Sequence, residues 1–162
     1  MTTTAQLELQ APPGEAVLHA RRLVRAAPGL VFAAWTEPEH IRRWLGPRAL
    51  TMTVCESDLR VGGAWRFVHR GPDGIEHGFH GRYVEVDPGR RLVSTWLYDP
   101  MPDHFAVNVL DFEAVDGGTM LVTTSIHDSV EARDAHIANG MESGMVESYA
   151  RLDELLAGPA RS

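Results

Sequence analysis

The stretch that decides the fold is residues 129–157, SVEARDAHIANGMESGMVESYARLDELLA. Ile137, Met141, Met145, Tyr149, Leu152 and Leu156 recur at intervals of three or four. That spacing lines one face of an α-helix with apolar side chains, and such a face must be buried. Asp128 with Glu131 has the form of a capping box, and Ser129 is an alternative cap. Gly158-Pro159 supplies the stop. The spacing therefore predicts one C-terminal helix over residues 129–157, about 40 Å long. Gly140 and Gly144 lie within it, four apart and beside the methionines. Each interior glycine costs a helix about 1 kcal/mol relative to alanine. Close packing of another backbone, a kink or room for a ligand would each offset that cost.

Working outward, the preceding chain alternates strand-like runs with turn signals. Residues 1–14 are polar and end in Pro12-Pro13-Gly14, which reads as a flexible tail ahead of one domain over residues 15–158. Residues 15–25 read as a first strand. Pro28 opens a short apolar helix through Trp35, and Thr36-Glu37-Pro38-Glu39 opens a second one carrying Ile41, Trp44 and Leu45. Six strands follow, at residues 49–58, 64–70, 75–87, 90–98, 104–115 and 119–127. Among the breaks between them are Gly62-Gly63, Gly71-Pro72-Asp73-Gly74, Asp87-Pro88-Gly89 and Asp116-Gly117-Gly118. Successive hairpins make an antiparallel meander. The expected class is α+β, seven curved antiparallel strands around the long helix.

Composition narrows the function. A 162-residue chain is most simply one domain, and its 44% hydrophobic and 23% charged content is that of a globular protein. A net charge of −7 argues against a nucleic-acid partner. No apolar run approaches 18 residues, which argues against a membrane span, and residues 1–14 lack the pattern of a signal peptide. A lone Cys55 leaves no internal disulfide and reads as a buried thiol, so a cytoplasmic location is expected. The assembly is open, a homodimer included.

Several ordered motifs carry a family resemblance. They are Ala27-Pro28, Val31-Phe32, Trp35-Thr36-Glu37-Pro38-Glu39 and Trp44-Leu45-Gly46-Pro47, then residues 59–67, LRVGGAWRF, and 81–88, GRYVEVDP. Gly118-Thr119-Met120-Leu121, Gly140, Gly144-Met145, Leu152 and Leu155 complete the set. The sequence resembles the START-like, helix-grip SRPBCC superfamily. Within it, the sequence is similar to the branch named for the activator of heat-shock-protein ATPase, over about residues 15–157. The resemblance implies a cavity between sheet and long helix. It also implies three candidate roles: binding of a hydrophobic or aromatic small molecule, a polyketide cyclase or dehydratase-like reaction, or a stress-linked, chaperone-interacting module. The family commonly carries Trp where this chain has Met145.

Trp44, Trp65, Phe67, Trp96, Phe105 and Tyr149, with Met141 and Met145, are the expected ligand-binding residues. Aromatic faces supply large apolar area, and methionine adapts to irregular shapes. His69, His80, Asp111 and His127 are candidates by type for acid–base work, but a one-residue slip of register reverses a strand's faces, so no catalytic residue is assigned. His69 and His77 flank one turn and can face each other across it, while His77 and His80 point to opposite faces. No zinc-type spacing or nucleotide-binding fingerprint occurs, so no metal or cofactor is expected.

Overall fold

The protein was analysed as a computed structural model, which describes residues 7–157 apart from Pro102 and Asn139. Each strand-forming run is bounded by the turn residues noted above. The strands are β1 (Glu8–Gln10), β2 (Val17–Val24), β3 (Thr51–Ser57), β4 (Ala64–Arg70), β5 (Glu76–Asp87), β6 (Arg91–Tyr98), β7 (Phe105–Val115) and β8 (Gly118–His127). They form one sheet in the order β1-β2-β8-β7-β6-β5-β4-β3, with every neighbouring pair antiparallel. Helices α1 (Pro28–Thr36) and α2 (Pro38–Trp44) connect β2 to β3, and α3 (Val130–Ala138) and α4 (Met141–Ala157) follow β8. This is the expected α+β class with one strand more than the seven expected. The extra strand falls in the segment read as a tail, where Leu7-Glu8-Leu9-Gln10 alternates like a strand and pairs with β2 through Leu9↔Ala20.

The long helix is two helices. Gly140 has φ +87°, a left-handed conformation that glycine takes without the Cβ penalty. Its N–H donates to the Ile137 carbonyl at 3.2 Å, a C-terminal closure for α3, and α4 starts at the next residue. At the start of α3 the alternative cap is the one used, while at α2 the capping box does not form. Ser129 Oγ accepts from the Ala132 N–H at 3.0 Å, while Asp128 is turned to His104 Nδ1 at 3.1 Å. Glu37 is the N-cap of α2 without a side-chain bond, and the Thr36 hydroxyl donates backwards to the Phe32 carbonyl at 2.8 Å.

Burial follows the helix stripe at one end only. Tyr149 and Leu152 of α4 are buried, and they join Val24, Phe32, Trp44, Phe112 and Leu121 in the core. Arg22 of β2, itself buried, makes a two-pronged ion pair with Asp153 of α4, at 2.7 and 3.0 Å. Met141 and Met145, nearer the start of α4, are only partly buried.

Two consequences are measurable. Leu152→Ala should lower stability by about 2–5 kcal/mol in urea unfolding, as a large-to-small core change does. A loss under about 0.5 kcal/mol would mean that α4 is not seated through this residue. The two glycines should respond in opposite directions. Gly140→Ala places a Cβ at φ +87° and should destabilise by about 1–2 kcal/mol. A Cβ at Gly144 meets nothing within 4 Å, so Gly144→Ala should stabilise by up to about 1 kcal/mol. Effects of the same sign would contradict the break at Gly140.

Candidate ligand-binding cavity

Because α4 is seated at its C-terminal end, its first turns stand over the sheet without filling the space beneath. The result is a cavity of about 500 Å³. Strand alternation supplies its floor: Trp65, Phe67 and His69 from β4, His77, Phe79 and Tyr83 from β5, Ser94 and Trp96 from β6, and Ala106, Asn108 and Leu110 from β7. Thr123, Ser125 and His127 of β8 extend it. Trp35 and Trp44 close one side, and His136 of α3 with Met141, Gly144, Met145, Ser148 and Tyr149 of α4 makes the roof.

Specific contacts hold this wall. Trp65 lies directly opposite Gly81 on β5, and its indole N–H donates to the Thr95 carbonyl at 3.2 Å. A Cβ at residue 81 would fall 2.0 Å from that carbonyl oxygen and 2.8 Å from the indole nitrogen, so only glycine admits the ring. Trp44 donates to the Ala34 carbonyl at 2.8 Å and packs edge-on to Trp35 at 4.6 Å between centroids. Phe79 stacks between Trp96 and Tyr98, at 5.4 and 5.1 Å. The rim between α2 and β3 is stitched to α4: Ser148 Oγ accepts from the Gly46 N–H at 2.9 Å, and Arg151 donates to the Gly46 and Arg43 carbonyls, each at 2.9 Å.

Seven of the eight residues expected to bind a ligand therefore border the cavity: Trp44, Trp65, Phe67, Trp96, Met141, Met145 and Tyr149. Phe105 is a correction. It pairs with Leu97, one step from the inward pair Trp96↔Ala106, is half exposed, and lines not this cavity but a smaller one of about 70 Å³ beside His104 and Asp128. Of the four acid–base candidates, His69 and His127 line the cavity. His80 instead bonds Asp99 at 2.7 Å, beside the Arg66–Asp99 pair, and Asp111 pairs with Arg91 at 2.7 Å. The hydrogen bond from Arg66 is the main reason that the Asp99 carboxyl is held below its usual range. His69 and His77 are direct cross-strand partners, as the turn between them allows. Cys55 is buried, and that burial raises its thiol pKa, which suits an inert core position.

Sequence reading missed His136 and the polar row Ser94, Asn108 and Ser125. The signal for the row was present: Ala106, Asn108, Leu110 and Phe112 alternate on β7, and Asn108 interrupts an otherwise apolar face. His136 precedes Gly140 by four residues, the spacing of a shared helix face, but the helix break obscures it.

The wall is electrostatically quiet. Among the described residues, no arginine, aspartate or glutamate lines the cavity. Burial lowers the pKa of His69 and of His127, and pushes His136 down to about 4. Burial likewise pushes the Tyr149 phenol up to about 12, against the opposing effects of the Thr123 hydroxyl and the Arg22 guanidinium. No group of three or more His, Cys, Asp or Glu side chains among the described residues is placed to hold a metal ion. No helix among them is long and apolar enough to cross a membrane.

A pH dependence follows. His127 and His136 have ring centroids 5.4 Å apart, and His136 also meets the edge of Trp96 at 5.3 Å. With the folded pKa of His136 below its ordinary 6.5, the unfolded chain binds the proton more readily. This stabilising contribution is complete above pH 6.5 and is lost as the pH falls toward about 4. NMR titration should place the His136 midpoint well below 6.5, and His136→Phe should reduce the acid loss of stability. A midpoint at or above 6.5 would contradict the packing of α3 on the cavity.

Comparison with known proteins gives these features a family. The family described as activator of Hsp90 ATPase homolog 1-like protein matches residues 25–157. Among solved structures, a Rhodobacter sphaeroides protein is 38% identical, with a TM-score of 0.84, covering 93% of this chain and 98% of its own. A Nitrosomonas europaea protein is 25% identical, with a TM-score of 0.80, covering 91% and 97%. A Mycobacterium smegmatis protein, at 22% identity, shares the fold with a TM-score of 0.83 over 93% and 97%. No curated protein matches the chain significantly. With most of the chain matched and the same helix-over-sheet architecture throughout, the protein belongs to the activator of Hsp90 ATPase homolog 1-like family.

Proposed function

We propose that this protein binds a hydrophobic, ring-containing small molecule between the sheet and α4. One observation carries the reading: a cavity of about 500 Å³ whose wall includes Trp35, Trp65, Phe67, Phe79, Trp96 and Met145. Ligand sites of small molecules typically fall between about 300 and 1,000 Å³ and are mostly apolar with a few polar groups. Packing alone would fill such a space, because protein interiors are close-packed and voids larger than a water are few. Stacked aromatic faces offer a ring both area and geometry, and the two methionines of the roof adapt to its outline. Met145 bears on specificity, since the smaller side chain leaves room that the Trp implied by the family resemblance would occupy.

The experiment is a titration with an uncharged hydrophobic dye such as Nile red, read by dye emission and by quenching of the tryptophans. Saturable one-site binding is expected. Met145→Trp should weaken it while lowering the unfolding free energy by no more than the roughly 1–3 kcal/mol that overpacking costs. Unchanged binding in that variant, or no binding of the wild type, would contradict the assignment. A chaperone-directed role, as the family's description suggests, would then be the reading to test.

A further inference from the structure

The floor of the cavity contains a row of polar side chains that packing does not explain. Ser94 of β6 lies directly opposite Asn108 of β7, and Asn108 directly opposite Ser125 of β8. Three adjacent strands thus place three polar groups side by side on one face. Apolar neighbours border the row, with Leu92 and Leu110 on one side and Trp96 and Ala106 on the other. The Ser125 hydroxyl donates to the Asn108 side-chain oxygen at 2.8 Å. That bond uses one end of the amide and orients the side chain. Among the described residues, neither the other end of the Asn108 amide nor the Ser94 hydroxyl has a hydrogen-bond partner, and both residues border the cavity.

Polar groups in an apolar wall cost stability unless something bonds them. Asn108 retains two donors after its oxygen is engaged by Ser125. Ser94 can donate or accept. The row can therefore bond a carbonyl or a hydroxyl held at the middle of the floor. A carboxylate is a different matter. Among the described residues the wall has no guanidinium, and the chain has arginine but no lysine. Of the wall's four histidines, burial holds His69, His127 and His136 toward the neutral form. Three arginines packed against the helices that roof the cavity are committed elsewhere: Arg22 to Asp153, Arg151 to two carbonyls of the rim, and Arg133 to the Pro12 and Val17 carbonyls and Asp134. An anion entering this space would lose its hydration without gaining a counter-charge.

Resting on the ligand-binding reading above, we propose that Ser94, Asn108 and Ser125 form a hydrogen-bonding rail that selects uncharged ring compounds bearing a carbonyl or hydroxyl. Plain hydrocarbons and carboxylates are disfavoured for opposite reasons. A hydrocarbon strips water from the free amide end without replacing its bond. A carboxylate finds a donor but no permanently charged cation.

The test uses three compounds sharing one ring system: 2-naphthol, naphthalene and 2-naphthoate at pH 7.5, titrated against the full chain by tryptophan quenching and calorimetry. 2-Naphthol should bind about tenfold more tightly than naphthalene, the change expected from one satisfied buried hydrogen bond. 2-Naphthoate should be weaker than 2-naphthol by about tenfold or more. Asn108→Leu should bring the naphthol-to-naphthalene affinity ratio to about one. Ser94→Ala, a smaller change that guards against misfolding of the first variant, should lower the same ratio severalfold. Equal binding of naphthol and naphthalene by the wild type would overturn the rail while leaving the cavity reading intact. So would a ratio that survives both substitutions, or a preference for 2-naphthoate. No binding of any of the three would overturn the rail and the cavity reading together.

Discussion

The structure depends on how α4 is fastened. Leu152 is fully buried, Tyr149 nearly so, and the Arg22–Asp153 ion pair crosses from β2 to the same end of the helix. Removing either charge would leave its buried or half-buried partner uncompensated, so this pair specifies position more than it adds stability. A helix held firmly at one end over a curved sheet cannot touch that sheet along its whole length. The space under its first turns is the geometric result. Gly140 completes the arrangement by ending α3, which leaves α3 free to take its own direction and bring His136 against Trp96 and His127.

What fills the wall then follows from strand alternation. Inward positions hold aromatic rings on β4, β5 and β6, and a polar row crosses Ser94 of β6, Asn108 of β7 and Ser125 of β8. Glycine at 81 is the space in which the Trp65 indole lies. The wall therefore has an aromatic side suited to a flat ring and a polar row suited to that ring's substituent. Burial also works against charge in this space: it favours the neutral forms of His69, His127 and His136 and of the Tyr83 and Tyr149 phenols.

Much of this was legible from residue order, because turn residues and period-two runs are local signals. Six hairpin-linked strands, the two Pro-initiated helices and the class of the fold are of that kind. Most of the misses depend on contacts between distant segments, and one on a local backbone angle. β1 is three residues long and gains its identity only by pairing with β2. The helix break turns on the φ of Gly140, although the glycine itself was visible. Phe105 reads by type as cavity wall, but whether it reaches the cavity depends on its register with β6. The cavity wall was half readable: the large aromatics announced themselves by type, whereas Ser94, Asn108 and Ser125 matter only because three strands bring them into one row.

All four tryptophans of the chain, Trp35, Trp44, Trp65 and Trp96, border the cavity. Their indole N–H signals in a two-dimensional nitrogen–proton spectrum are therefore four separate reporters inside the space. Trp44 and Trp65 donate to backbone carbonyls, while Trp35 Nε1 is buried and has no hydrogen-bond partner among the described residues. Titration with 2-naphthol should shift the Trp35, Trp65 and Trp96 indole signals along saturable curves with one common dissociation constant. Backbone signals of Arg66 and His80, on the opposite face of the sheet, should stay in place. Shifts confined to that outer face, with the indole signals unmoved at saturating ligand, would contradict a binding cavity between the sheet and α4.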